Sequence, residues 1–280
     1  MDISDLKIKK ASGQQVNFSE EKVAASLARA GASKDIIEKI LSRLKQELYM
    51  GITTKELYNR AFRLLKNKDH ILASRYKLKN AIYELGPTGF PFEKFVGAVL
   101  RNSGYYVEVG DIFQGECVTH EVDVIATKGK ETLLMECKFH SEPGKSCDVK
   151  IPLYIHSRFR DIENFNKSKK ENPFLFSEGW VVTNTRFTDD ATRYSKCVDL
   201  KLLSWDYPKG NALKDRIDHT GLYPITVSTL LNKREKQFLL SRDVVLCREL
   251  ANDDFYLDHL GISSSRKKHI LEEMRSLSKA

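Results

Sequence analysis

No run of about 18 apolar residues occurs in this 280-residue chain, which excludes a membrane-spanning helix. The opening Met1-Asp2-Ile3-Ser4-Asp5 lacks the apolar stretch of a signal peptide, so a cytoplasmic location is expected. Cysteine is scarce and scattered. The five residues, Cys117, Cys137, Cys147, Cys197 and Cys247, are odd in number and none sits in Cys-x-x-Cys spacing. That argues for reduced thiols and against a zinc site. A Gly-rich phosphate loop of the Walker type is missing, which argues against ATP hydrolysis by such a site. Internal repeats and low-complexity tracts are absent too. No arginine-rich or aromatic RNA-binding motif is present, although this leaves RNA open as a substrate.

Charge is what the chain has in excess, with 46 Lys and Arg against 38 Asp and Glu, or +8. Its distribution is uneven. Residues 1–90 hold 17 basic and 10 acidic side chains, residues 91–207 hold 16 and 18, and residues 208–280 hold 13 and 10. A slightly acidic middle between basic flanks suits a polyanionic substrate handled by a carboxylate site.

The acidic middle contains a readable hairpin. Val118 to Thr127 and Thr132 to Lys138 are rich in β-branched and apolar residues, and Lys128-Gly129-Lys130-Glu131 lies between them. A two-residue Gly129-Lys130 loop makes paired positions sum to 259. Asp123 then faces Glu136, and Glu121 faces Lys138. Alternation puts these four on one side and Val118, Val122, Val124, Leu133, Met135, Cys137 and Phe139 on a core side. Carboxylates placed opposite each other repel unless a cation, a proton or basic partners intervene. A hard cation such as Mg²⁺ takes one or two carboxylates plus water and substrate phosphate, which Asp123 and Glu136 can supply. Lys138 is placed to neutralise a reacting phosphate. Glu121 reads as a third ligand or as the partner of Lys138. His120 falls on the core side and reads as structural, whereas His140 falls near the site.

An Asp followed by Glu-x-Lys resembles the core of the PD-(D/E)XK nucleases. The surrounding order extends the resemblance. Pro91-Phe92-Glu93 opens a helix with Phe92, Phe95, Val96 and Val99 as its buried stripe. After the hairpin come a strand at Gly179-Trp180-Val181-Val182-Thr183-Asn184, a helix capped by Thr188, and a strand at Lys201-Leu202-Leu203-Ser204-Trp205. From about residue 88 to about residue 206 this resembles the catalytic domain of Mrr-type restriction endonucleases. The resemblance implies a metal at Asp123 and Glu136 and a catalytic set of Asp123, Glu136, Lys138 and Glu93. Many relatives have Gln where this chain has Glu136, and the carboxylate favours an intact metal site. Glu93 also suits the positive end of its helix without any role in the site.

The N-terminal third reads as a separate unit. Ile8-Lys9-Lys10 and Gln15-Val16-Asn17 flank a short turn. A helix follows with Ser19 as N-cap and Phe18 and Val23 as a hydrophobic staple. A second helix begins near Ser33, and a third at Thr53 with Glu56 closing a capping box. A fourth is expected from about Ile71 to Leu85, and Gly86-Pro87-Thr88-Gly89 reads as a boundary. A hairpin followed by four helices resembles the ATP-cone, the nucleotide-binding regulatory module of ribonucleotide reductases. Ile8, Lys10, Gly13, Phe18 and Lys22 match its opening pattern, whereas Ala11 and Ser12 replace the usual Arg and Asp/Asn. The resemblance implies that Lys10, Gly13 and Lys22 meet the phosphates of ATP or dATP, weakly for want of the Arg.

The expected fold is α/β (α+β overall). A restriction-endonuclease-like mixed-sheet core over 87–207 follows a mainly helical ATP-cone-like domain over 1–86 and precedes a small helical extension over 208–280. In the extension, Leu230 to Phe238, Val244 to Leu250 and a last helix ending near Ser276 read as helical. The expected function is an endodeoxyribonuclease with Mg²⁺ or Mn²⁺ as cofactor. Its expected partners are DNA and an adenine nucleotide, with no membrane, and a homodimer if both strands are cut. The alternatives are a non-catalytic, nucleotide-responsive DNA-binding regulator and an RNA-directed nuclease.

Overall fold

The computed structural model describes residues 6–10, 12–168 and 176–279. Ala11 and Met1 to Asp5, singled out in the sequence, lie outside the described residues.

The chain opens with a two-stranded antiparallel hairpin, β1 (Lys7–Lys9) and β2 (Gln15–Asn17), with Ile8 paired to Val16. Gly13 takes φ +83° in the turn, a conformation that costs an L side chain energy. Next come α1 (Glu20–Arg29), α2 (Lys34–Gln46) and α3 (Thr54–Lys66). The caps read from the sequence for the first and third are present, and Ser33 caps the second. The Ser19 and Ser33 hydroxyls accept from Lys22 N and Ile36 N, and Thr53 and Glu56 form a reciprocal capping box. The expected fourth helix is two: α4 (His70–Tyr76) and α5 (Leu78–Tyr83), parted at Lys77. The Lys77 ammonium binds Glu84 Oε2 within the unit and reaches out of it to the Thr226 carbonyl, both at 2.8 Å.

The central sheet holds β3 (Tyr106–Gln114), β4 (Thr119–Lys128), β5 (Glu131–Lys138), β6 (Glu178–Thr183) and β7 (Lys201–Leu203), in that spatial order. The first three run antiparallel, and β5, β6 and β7 run parallel, so the sheet is mixed as expected. It packs with α6 (Phe90–Asn102), α7 (Lys150–Ser168) and α8 (Asp189–Cys197). The stripe of α6 is buried as read, and Thr188 caps α8. After the sheet come α9 (Leu213–Thr220), a 3₁₀ turn (Ile225–Val227), α10 (Lys233–Ser241), α11 (Cys247–Asn252), α12 (Phe255–His259) and α13 (Ser264–Leu277).

Both faces of the sheet are covered, where the sequence led us to expect one core face. On one side Val124, Ala126, Leu133 and Met135 pack with Phe92, Phe95 and Val96 of α6. On the other, Ile125, Leu134 and Val181 pack with Ile155, Phe159 and Ile162 of α7. Only the ends of β4 and β5 escape this second layer. Val118, expected in the core, is 57% exposed in the turn before β4.

Hydrophobic packing also crosses the expected boundaries at 86 and 207. Leu78, Ile82 and Leu85 share one core with α6, the sheet and α9 to α13. A buried polar knot ties the ends of the chain together. The Glu273 carboxylate of α13 accepts from Ser74 Oγ (2.7 Å), Ser228 Oγ (2.5 Å), Thr229 N (2.9 Å) and Thr229 Oγ1 (3.0 Å). Four donors on one carboxylate offset the cost of burying it.

Candidate active site

The hairpin register is the one its turn dictates. Lys128 pairs with Glu131 around Gly129-Lys130, Val124 pairs with Met135, and Gly129 takes φ +62°. There the β4–β5 ladder stops. Instead of continuing it, the Cys137 N–H donates to Asp123 Oδ2 at 2.7 Å. A side chain thus takes the backbone donor, and the strands open beyond it. On the other side of β4, the register places Gly110 of β3 opposite Asp123, and Gly110 has φ +74°. A glycine with positive φ inside a strand marks a local kink. Asp123 therefore sits where pairing is disturbed on both sides of its strand. Regularity breaks here also in the packing: Val122 joins Ile125 in the α7-side core, whereas strict alternation would part them.

Four carboxylates gather at this open end. Burial pushes the Glu136 carboxyl up to about 7, and the nearby Asp123 and Glu93 carboxylates add to the effect. Burial, then Asp123 and Glu121, push Glu93 up to about 7 as well. Asp123 is raised by burial and by Glu121, against the Cys137 N–H, Arg158 and Lys138, which pull it down. Glu93, in the first turn of α6, thus feels the charge of the hairpin acids Asp123 and Glu121. Lys138 is exposed at the end of β5, and its backbone carbonyl accepts from Thr183 Oγ1 at 2.7 Å. Its ammonium makes no ion pair among the described residues, so its charge is available to a ligand.

The sequence reading missed Arg158 of α7. Its Nη1 donates to Glu136 Oε1 at 2.6 Å, and its Nη2 donates to the Glu121 carbonyl. Glu136 Oε2 is buried and has no hydrogen-bond partner among the described residues. The helix itself had a signal in the spacing of Ile151, Ile155, Phe159 and Ile162. Nothing in the sequence marks Arg158 out among the basic residues.

Asp161, also on α7, organises the turn before β4. It accepts from Cys117 N at 2.9 Å, from Val118 N at 3.3 Å and meets His120 Nε2 at 2.7 Å. The His120 bond, above all, holds its carboxyl down at about 2. His120 thus has a structural partner. His140 lies past β5, where its N–H donates to Asn184 Oδ1 at 2.9 Å and its Nε2 lies 3.4 Å from the buried Cys147 Sγ.

A hard divalent cation fits this donor set. Two carboxylates, Glu93 and Glu136, are pushed up by burial and by neighbouring acids, and one buried oxygen lacks a partner among the described residues, which are conditions that positive charge would relieve. No group of three His, Cys, Asp or Glu side chains converges on an ion position among the described residues. Water and substrate phosphate would complete the shell, as is usual for Mg²⁺.

The N-terminal candidates are less assembled. Lys10 donates to Gln14 Oε1 at 3.0 Å, and Lys22 lies in the first turn of α1; both are exposed. Among the described residues no hydrogen bond or ion pair joins them. Gly13 stands in the turn with open space where a Cβ would project.

A mixed five-stranded sheet with acids at an opened central hairpin is a restriction-endonuclease-like fold, and residues 87–207 match the Mrr-type restriction endonuclease catalytic domain. Residues 223–278 match a second family, the AF1548-like C-terminal domain. An uncharacterized protein of Archaeoglobus fulgidus is 30% identical over 180 residues, which are 64% of this chain and 97% of that protein. The chain therefore belongs to the family of this archaeal protein. The crystal structure of AF1548, a protein of unknown function, superposes with a TM-score of 0.56 at 29% identity, over 68% of this chain and 98% of that one. MspJI restriction endonuclease in complex with a 27-mer oligonucleotide is more distant. Its TM-score is 0.36 at 15% identity, over 61% of this chain and 36% of that one. No described helix is long and apolar enough to cross a membrane.

Proposed function

We propose that the chain is a metal-dependent endonuclease that hydrolyses DNA phosphodiester bonds at the open end of the β4–β5 hairpin. The observation that carries this reading is the Asp123–Glu136 pair, with a buried Glu136 oxygen lacking a partner, inside a domain of the restriction endonuclease family. Asp123 and Glu136 hold Mg²⁺ or Mn²⁺. When bound, the cation supplies positive charge against the scissile phosphate and the charge that develops on it. Lys138 adds its free ammonium on the same side and orients a phosphate oxygen or the attacking water. A bond forms from the water oxygen to phosphorus as the bond to the leaving sugar oxygen breaks. Glu93, raised to about 7, holds a proton for part of the time at neutral pH and is suited to exchanging one with that water.

The N-terminal hairpin and helices serve, in this reading, as an ATP-cone-like module. Lys10, Gly13 and Lys22 meet the phosphates of an adenine nucleotide. Support comes from the order of elements and from the open, positive-φ Gly13 turn between the strands. The path from effector to site runs through α5, which packs in the same core as the Glu93 helix. Cutting both strands calls for two sites, hence a homodimer on DNA. Incubation of supercoiled and methylated circular DNA with the full chain, in Mg²⁺ or EDTA and with or without ATP, tests the reading. Nicked or linear product in Mg²⁺ alone of the two supports it, and intact DNA under every condition sinks it.

A further inference from the structure

Arg158 touches both strands of the hairpin just where they part. Its Nη1 donates to Glu136 Oε1 of β5 at 2.6 Å, and its Nη2 donates to the Glu121 carbonyl of β4. The ladder has already ended at Val124–Met135, and Asp123 has taken the Cys137 N–H. Arg158 therefore spans the opening that the ladder leaves. Its own placement is fixed from behind. The next residue, Phe159, is in the core of α7, the guanidinium lies 5.5 Å from the centre of the Tyr154 ring, and the side chain is 12% exposed.

The two oxygens of Glu136 are treated differently. Oε1 is held by a charge-assisted bond, while Oε2 is buried with no partner. A ligand to a hard cation needs one oxygen presented and the carboxylate kept from rotating, and outer hydrogen bonds commonly supply that restraint. A planar guanidinium can satisfy a carboxylate and a carbonyl at once from one rigid fork, which an ammonium does less well. We propose that Arg158 is the positioning residue of the site: it holds Glu136 by Oε1 so that Oε2 faces the cation, and its bridge to Glu121 sets the gap between Asp123 and Glu136. This rests on the reading of the hairpin as a metal-dependent nuclease site. The opposite role is a resident cation that occupies the acids until a metal displaces it. The two roles predict opposite signs, because removing a competitor tightens metal binding, whereas removing a support weakens it.

Mn²⁺ binding to the full chain, followed by electron paramagnetic resonance without DNA, separates them. The set is wild type, Asp123→Ala, Arg158→Ala, Arg158→Lys, Glu136→Gln and the double variant Arg158→Ala/Glu136→Gln, each checked for folding by circular dichroism. Loss of Arg158 should weaken Mn²⁺ binding about 10- to 100-fold, although it removes a positive charge from the site. Lysine should restore part of the loss, and it keeps the test open if the alanine variant fails to fold. In the Glu136→Gln background, removing Arg158 should change binding by less than about twofold, since the support then has no ligand to hold. Unchanged or tighter Mn²⁺ binding in folded Arg158 variants, or an equal loss with and without Glu136, overturns the proposal while leaving the metal site intact. Wild-type protein with no binding that Asp123→Ala removes would overturn the metal site itself, and the proposal with it.

Discussion

Glu136→Gln should stabilise the metal-free protein at alkaline pH. The wild-type carboxyl is raised from 4.5 to about 7 by burial and by Asp123, and its side chain is 17% exposed. A carboxyl with a raised native pKa binds its proton more tightly when folded than when unfolded. Stability is then full below the unfolded value near 4.5 and falls as pH rises through about 7. The displacement corresponds to about 3 kcal/mol of native-state cost once the group is ionised, at ~1.4 kcal/mol for each pH unit. Glutamine keeps the volume and can still accept from Arg158 Nη1. The pairing with Arg158 is already contained in that displacement, since it holds the carboxyl lower than burial alone would. The variant should therefore be about 3 kcal/mol more stable than wild type at pH 8 and within about 1 kcal/mol of it at pH 5. Urea denaturation in EDTA at the two pH values measures the difference. Mg²⁺ should then raise the stability of wild type more than that of the variant. A variant that is no more stable at pH 8 than at pH 5, relative to wild type, would refute the argument that the site is electrostatically strained without its cation.

Lys138→Ala should fold normally, since the ammonium has no ion-pair partner among the described residues, and lose DNA cleavage by about a thousandfold or more; wild-type rates in a nicking assay would remove Lys138 from the chemistry. Gly110→Val should cost about 1–3 kcal/mol, because a β-branched residue at φ +74° is strained, and should lower Mn²⁺ affinity by disturbing Asp123 opposite; calorimetric melting and Mn²⁺ titration check both. ATP should bind the full chain weakly, with a Kd on the order of tens of micromolar or poorer, equivalent to about −6 kcal/mol, and Lys10→Ala with Lys22→Ala should abolish the heat; no heat from wild type at millimolar nucleotide would reduce the N-terminal unit to packing.

The sequence is most legible where local rules decide the outcome. A Gly at the first loop position sets the hairpin register, so the pairing from Lys128–Glu131 to Val124–Met135 follows by counting from Gly129-Lys130, and the ladder stops one step short of Asp123 and Glu136. Serine and threonine caps place α1, α2 and α3 for the same local reason. The site needs more than that. Asp123 is exceptional because its side chain, instead of the backbone of β4, takes the Cys137 N–H, and no pairing rule anticipates this substitution. Strand β3 has no clean alternation in the sequence, because Gly110 interrupts it, and that same glycine is the kink opposite Asp123. The α7 stripe is diluted by Pro152, His156 and Asn166, so the second core layer went unread, and Arg158 with it. Contacts between distant segments, such as Glu273 with Ser74, leave no periodic trace in the sequence at all.

In the function proposed above, the open end of the β4–β5 hairpin holds a divalent cation. Anomalous diffraction from a crystal soaked in Mn²⁺ tests it most directly. One peak bridging the carboxylates of Asp123 and Glu136, on the Oε2 side of Glu136 and absent from Asp123→Ala crystals, is the predicted result. No peak there, or one elsewhere that survives Asp123→Ala, would contradict the account.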